Sequence, residues 1–240
     1  MAWLLLMTLC GGLSAGEVEV WNTGRGGNRA SELLSRLKND VEPKRPDLVI
    51  LLVGTNDLLN SKKAVSLEVY RENLLKLVTR LQRLPTAVLL VTIPPCHPPD
   101  LFLRHSQAFY EPEGPNGRVE AGNRMIREVA AQTGVPVVDL FERFTKEGQI
   151  GEGAASYLRN AANSGRRDGV HPTADAYRAM AGWIAEAITA HHLPASRVVC
   201  LGDSITLGAG VKGEGTVEGE SYPAQLRFIL RSRVQPSGSH

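Results

Sequence analysis

The sequence has 240 residues, 42% of them hydrophobic, and 27 basic residues nearly balance 25 acidic ones to give a formal net charge of +2. This length and hydrophobic content suffice for one globular domain with a sizeable core. The near-neutral charge, with no block of like charges, excludes the electrostatic footprint of a nucleic-acid-binding protein and favours a small-molecule partner.

The first sixteen residues, MAWLLLMTLCGGLSAG, form an apolar stretch followed by small residues. This order resembles a secretory signal, although no positive charge precedes the apolar core, and it predicts a secreted or periplasmic protein. The alternatives are an extra strand or helix that caps a cytoplasmic domain, and a lipoprotein anchor at Cys10. The stretch is too short for a standard transmembrane helix, so we expect no integral membrane span. Residues 17–240 are expected to form a single domain.

Short β-rich runs alternate with longer amphipathic segments along the chain. The runs are EVEVW (17–21), DLVILLV (47–53), AVLLVTI (87–93), VPVVDL (135–140) and RVVCL (197–201). Several of them are almost continuous Val, Ile and Leu, which is typical of strands covered on both faces of a parallel sheet. Apolar stripes with helical spacing lie between the runs, the clearest within residues 74–81 and 180–188. The alternation predicts an α/β fold built on a doubly wound parallel sheet of about five strands.

The segment Pro94–Gly117, PPCHPPDLFLRHSQAFYEPEGPNG, is rich in proline and long for a connection in a compact domain. It is consistent either with a lid or wall over the edge of the sheet or with a surface excursion. In the first case, Arg104, His105 and Tyr110 are its candidates for lining a pocket.

Polar and glycine-rich blocks follow the predicted strands, at the sheet edge where doubly wound folds bind their ligands. The blocks are NTGRGG (22–27), GTND (54–57) and GDSIT (202–206), and a further loop, RRDGVHP (166–172), precedes a predicted helix. Serine becomes a nucleophile when an adjacent base takes its proton, and that base needs a partner on its other nitrogen. Ser204, His171 and Asp168 are candidates for these three roles.

A developing oxyanion needs preorganised donors, which a glycine backbone N–H and an asparagine side chain can provide. Gly27 and Asn56 lie at neighbouring strand ends in this interpretation. Simpler interpretations exist, because Ser204 could cap a helix and Asn56 could be an ordinary turn residue. NTGRGG (22–27), the glycine block, could also bind a phosphate, but it lacks the full G-x-G-x-x-G spacing.

Together, the four blocks resemble those of the SGNH hydrolases, also called the GDSL lipase and esterase family. The resemblance implies a three-layer, flavodoxin-like fold and an esterase that needs no metal or cofactor. It implies Ser204 as the nucleophile, His171 as the general base and Asp168 as the residue that holds the base. The oxyanion donors would be the backbone N–H groups of Ser204 and Gly27 and the side chain of Asn56. It gives Asp57 and Asp203 no part in proton transfer, which leaves them structural roles.

The order of the blocks departs from the family pattern, in which the block that contains the nucleophile comes first. Here that nucleophile block, GDSIT (202–206), comes last, and this predicts a circular permutation. The family's strand order requires RVVCL (197–201) to lie between EVEVW (17–21) and DLVILLV (47–53). ESYPAQLRFILRSR (220–233) would then be the first helix of the family fold. A C-terminal strand that fills a central position predicts either a monomer or a strand-swapped homodimer.

The substrate expected from this resemblance is a small-molecule carboxylic ester. No long apolar lid segment is evident, which favours short acyl groups such as acetyl. The alternative function is a catalytically inactive domain that binds a carbohydrate or another ligand.

Overall fold

The computed structural model describes residues 18–147 and 150–234, and within them a five-stranded parallel sheet has the order β1-β5-β2-β3-β4. The strands are β1 (Glu19–Gly24), β2 (Leu48–Leu52), β3 (Ala87–Val91), β4 (Val137–Val138) and β5 (Arg197–Gly202). The predicted α/β fold is therefore confirmed. The N-terminal segment 1–16, with its expected signal or Cys10 anchor, lies outside the described residues.

Helices cover both faces of the sheet. They are α1 (Ala30–Asp40), α2 (Thr55–Leu58), α3 (Leu67–Leu81), α4 (Pro98–Leu101), α5 (Gly114–Thr133), α6 (Leu140–Lys146), α7 (Ala161–Ser164), α8 (Ala174–Ala190), α9 (Ser204–Leu207) and α10 (Tyr222–Val234). Alternate residues of β2 enter two different cores: Val49 and Leu51 pack with α1, α3 and α5, whereas Ile50 packs with α8 and α10. This two-sided burial explains why the strand reads as an uninterrupted apolar run. In the described part of the chain, no helix is both long and apolar enough to cross a bilayer.

The last strand occupies a central position in the sheet. Cys200 of β5 is in register with Asn22 of β1 on one side and with Ile50 of β2 on the other. Residues 198–202 of β5 are buried. The predicted position of RVVCL between the first two runs is thus confirmed, and the predicted helix of residues 220–233 corresponds to α10. This topology brings the ends of β1, β5 and β2 side by side.

Two predicted segments differ from the structure. The fourth run, 135–140, forms strand only at Val137–Val138, because Asp139 accepts a hydrogen bond from the Glu142 backbone N–H and so caps α6. The long connection from Pro94 contains α4, and α5 already begins at Gly114. The predicted boundaries of both segments were therefore wrong.

Candidate active site

Ser204 is the first residue of α9, just after the end of β5, at the carboxyl-terminal edge of the sheet. Asp203, which precedes it, accepts a hydrogen bond from the Ile205 backbone N–H at 2.9 Å and caps the helix. A strand followed at once by a capped helical turn places the serine at the carboxyl end of the central strand. This is the end of the sheet at which doubly wound folds carry their sites.

His171 and Asp168 complete a hydrogen-bonded chain to the serine. His171 Nε2 lies 3.0 Å from Ser204 Oγ, and His171 Nδ1 lies 2.9 Å from each oxygen of the Asp168 carboxylate. The backbone N–H groups of Val170 and His171 also donate to Asp168 Oδ1, at 3.0 and 2.9 Å. Burial by itself would raise the pKa of Asp168, but the hydrogen bonds and charge of His171 hold that pKa well below its usual range. The carboxylate is therefore ionised and oriented toward the imidazole.

Asn56 and Gly27 follow β2 and β1, the two strands that flank β5. Asn56 is the second residue of α2, after β2, and its Nδ2 donates to the Asn28 carbonyl at 3.1 Å. This contact places Asn56 beside the glycine block, and it leaves the second amide hydrogen available. Gly27 has a φ of +74°, which glycine adopts without strain.

A cavity of about 150 Å³ opens above the serine. Its lining comprises Thr55, Asn56, Leu59, Asn60, Leu101, Arg104, His105, Val170, His171 and Ser204. The segment after Pro94 therefore forms a wall of this cavity. Larger hollows of about 440 and 500 Å³ elsewhere on the molecule contain none of the predicted site residues.

The structure separates the three candidates of that segment. Arg104 and His105 line the cavity, whereas Tyr110 is buried and its hydroxyl donates to the Leu59 carbonyl at 2.6 Å. Gly27 is also absent from the lining. Tyr110 as a pocket residue was therefore a wrong prediction, since its ring packs edge to face on Phe109 in the core.

Two further carboxyl groups are buried beneath the site. Burial, above all, raises the pKa of Asp57 to about 7 and that of Asp203 to about 6, and the charge of Asp203 contributes to the shift at Asp57. Asp57 accepts the Ala30 backbone N–H at 3.2 Å. Asp203 Oδ2 and the Thr55 hydroxyl are both buried, and the Thr55 side chain opposes part of the rise in the pKa of Asp203. Sequence reasoning assigned both aspartates structural roles and did not find this pair, because its members are far apart in the chain.

These buried carboxyl groups make stability depend on pH. Each binds its proton up to its raised folded pKa, whereas the unfolded chain releases it above about pH 4, so the free energy of unfolding falls as pH rises from about 4 to 7. Asp168 has the opposite sign, and its contribution is lost only below about pH 4. We expect Asp57→Asn to reduce the loss of stability between about pH 5 and pH 8 by about 1–3 kcal/mol.

Urea unfolding at the two pH values measures this difference. Asp175→Asn is the control, because Asp175 is exposed at the start of α8 and its substitution should leave the pH slope unchanged. An Asp57→Asn variant with the same slope as the parent protein would show that the Asp57 carboxyl is ionised in the folded state.

Comparison with known proteins identifies a family whose members resemble this chain. The model of the GDSL-like Lipase/Acylhydrolase family matches residues 7–179, so Ser204 lies beyond the matched part. The uncharacterized lipoprotein YqeF of Bacillus subtilis is 27% identical over 139 residues, which span 54% of this chain and 57% of that relative.

Similar solved structures carry the same fold. A lipase/acylhydrolase from Enterococcus faecalis has a TM-score of 0.55 at 23% identity and covers 70% of this chain and 74% of its own. The acetyl xylan esterase AlAXEase has a TM-score of 0.55 at 22% identity, covering 69% and 78% of the two chains. Axe2, an acetylxylan esterase from Geobacillus stearothermophilus, has a TM-score of 0.53 at 22% identity, covering 68% of each.

Proposed function

The chain belongs to the GDSL-like lipase/acylhydrolase family of hydrolases, and from this membership we propose that it is a serine esterase that cleaves carboxylic esters through an acyl-enzyme. The observation that carries the proposal is the 3.0 Å contact between His171 Nε2 and Ser204 Oγ, with Asp168 on the other ring nitrogen. A histidine held on both sides in this way can accept and return a proton along one defined direction.

In the proposed reaction, Ser204 Oγ attacks the ester carbonyl while its proton passes to His171 Nε2. The imidazolium then protonates the oxygen of the leaving alcohol as the carbon–oxygen bond breaks, which leaves the acyl group on the serine. Water repeats the cycle, with His171 again as the base, and releases the acid. Asp168 accepts the Nδ1–H hydrogen bond, which keeps the proton-accepting nitrogen toward the serine and stabilises the imidazolium.

The tetrahedral intermediates carry a negative oxygen that requires donors. We assign this role to the backbone N–H groups of Ser204 and Gly27 and to the free amide hydrogen of Asn56. The proposal is supported by their places in the turns that follow three adjacent strands and by the contact between Asn56 and the neighbour of Gly27. Donors that are fixed before the reaction stabilise developing charge without a cost of reorganisation.

The small size of the cavity favours short acyl groups. About 150 Å³ accommodates an acetyl group with part of an alcohol and leaves little room for a long chain. We therefore expect kcat/KM to fall from p-nitrophenyl acetate to the butyrate and to fall further at the octanoate, which initial-rate measurements on the three esters would show. A rate that rises with chain length would contradict the acetyl preference, and no hydrolysis of any ester would favour the ligand-binding alternative.

The chain order belongs to the same proposal. The family places the nucleophile block first, and the central position of β5 supports a circular permutation that keeps the strand order while moving the chain ends. A monomer and a strand-swapped homodimer both place a β5 strand between β1 and β2, and the mass in solution distinguishes them.

A further inference from the structure

The cavity above Ser204 carries positive charge that the proposed reaction does not use. From its lining we infer that the preferred ester bears a negative charge on its alcohol part, as a carboxylate or phosphate, and that Arg104 is the residue that selects it. This inference rests on the proposed function. Because the acyl part is short in that reaction, the charge is placed on the alcohol.

Arg104 faces the cavity with donors to spare. Its side chain is 41% exposed, and within the described residues its ion pair is with Asp168, at a distance of 3.9 Å. Asp168 already accepts hydrogen bonds from His171 Nδ1 and from two backbone N–H groups, so it does not depend on Arg104 for a partner. A guanidinium presents five donors in a planar arrangement that suits two oxygens of one carboxylate or phosphate.

The neighbours of Arg104 reinforce its charge. His105 Nδ1 lies 2.8 Å from Ser61 Oγ, and its pKa is lowered by burial first and then by the positive charges of Arg104 and Lys62. Lys62 is exposed, next to the serine that contacts His105. Charges that disfavour protonation of a histidine also attract an anion to the same space.

Arg104 is the cationic side chain in the lining of the cavity. The lining contains arginine, histidine and asparagine but no aspartate or glutamate. Asp168 is the carboxylate close to Arg104, and both of its oxygens already lie within hydrogen-bonding distance of His171 Nδ1. The exposed Arg104 guanidinium is therefore the charged group that the lining presents to whatever extends from the reacting ester, which favours complementary anions over neutral groups.

Two esters of nearly the same shape test the inference. Para-acetoxybenzoate and para-acetoxybenzamide release the same acetyl group, but only the first carries a charge on the alcohol part. We expect Arg104→Gln to lower the ratio of kcat/KM for the anionic ester to that for the neutral ester by about fivefold to tenfold. The ratio is the readout because an effect of Arg104 through Asp168 would change both rates alike, and raised salt should reduce the ratio of the parent enzyme.

Arg83→Gln serves as the matched control, because Arg83 is exposed beyond the end of α3 and does not line the cavity. An equal loss on both esters in Arg104→Gln would show that Arg104 acts through Asp168 and would overturn the inference, as would an unchanged ratio. A parent enzyme that hydrolyses the neutral ester without preferring the anion, after correction for the reactivity of each ester with hydroxide, also overturns the inference and leaves the esterase intact. Hydrolysis of neither ester removes the proposed function and the inference together.

Discussion

Ser204→Ala should abolish ester hydrolysis, with kcat on p-nitrophenyl acetate falling by about three orders of magnitude or more. The hydroxyl is the group that bonds to the acyl carbon in the proposed reaction, and alanine offers no atom in its place. His171 Nε2, 3.0 Å away in the parent chain, would then lack the proton donor that it activates. Initial rates with purified parent and variant, measured in the same buffer, provide the comparison.

The double variant Ser204→Ala/His171→Ala sharpens this prediction. When two side chains act as a unit, the losses of rate caused by removing each of them do not add. The double variant should therefore be slower than either single variant by no more than about tenfold. Ser232→Ala is the control, since Ser232 is exposed on α10. A Ser204→Ala protein that keeps a tenth or more of the parent rate, while folded, would exclude Ser204 as the nucleophile.

Gly202→Ala should lower the free energy of unfolding by about 3 kcal/mol or more, because it adds a methyl group where the chain leaves no space. Gly202 ends β5, in register with Gly24 of β1 and Leu52 of β2. A Cβ atom at this position would overlap the Leu52 carbonyl oxygen and the Thr206 side chain. The backbone of a central strand cannot shift away, since it is hydrogen-bonded on both sides.

Gly182→Ala offers a matched control for the same chemical change. Gly182 lies within α8, and a Cβ atom there would meet no heavy atom within 4 Å. That substitution should stabilise the protein by about 0.5–1 kcal/mol, because alanine loses less backbone entropy than glycine when the chain folds into a helix. Urea unfolding of the two variants measures both effects. A Gly202→Ala protein as stable as its parent would contradict the tight packing of β5 against β2.

Much of the fold could be predicted from local patterns. DLVILLV (47–53) is apolar throughout because β2 is covered on both faces, and the stripe at residues 74–81 became the buried side of α3. The fourth run was overextended, because Asp139 caps a helix at the point where the apolar pattern continues into Leu140. Local hydrophobicity does not distinguish the end of a strand from the first turn of a buried helix.

The candidate site was predicted through its short blocks. Ser204, His171, Asp168 and Asn56 belong to recognisable sequences. In the structure Ser204, His171 and Asn56 line one cavity, and Asp168 is hydrogen-bonded to His171. The prediction that Tyr110 lines the pocket was wrong. Its position in a polar loop suggests an exposed side chain, but its ring is buried in the core. The buried carboxyl pair of Asp57 and Asp203 was missed as a pair, because only the folded chain joins the two blocks that contain them.

The sequence by itself determined the α/β class, the family and the side chains available for chemistry, because these depend on period, residue type and short spacing. The family resemblance already predicted that the last strand inserts between the first two, but only the tertiary structure gave the register of that strand with each neighbour. The same packing set the 150 Å³ cavity, the place of Arg104 in its lining and the raised pKa values of the buried aspartates. The physical reason is that burial, cavity volume and electrostatic coupling arise between groups that are distant in the chain, and no local pattern encodes their separation.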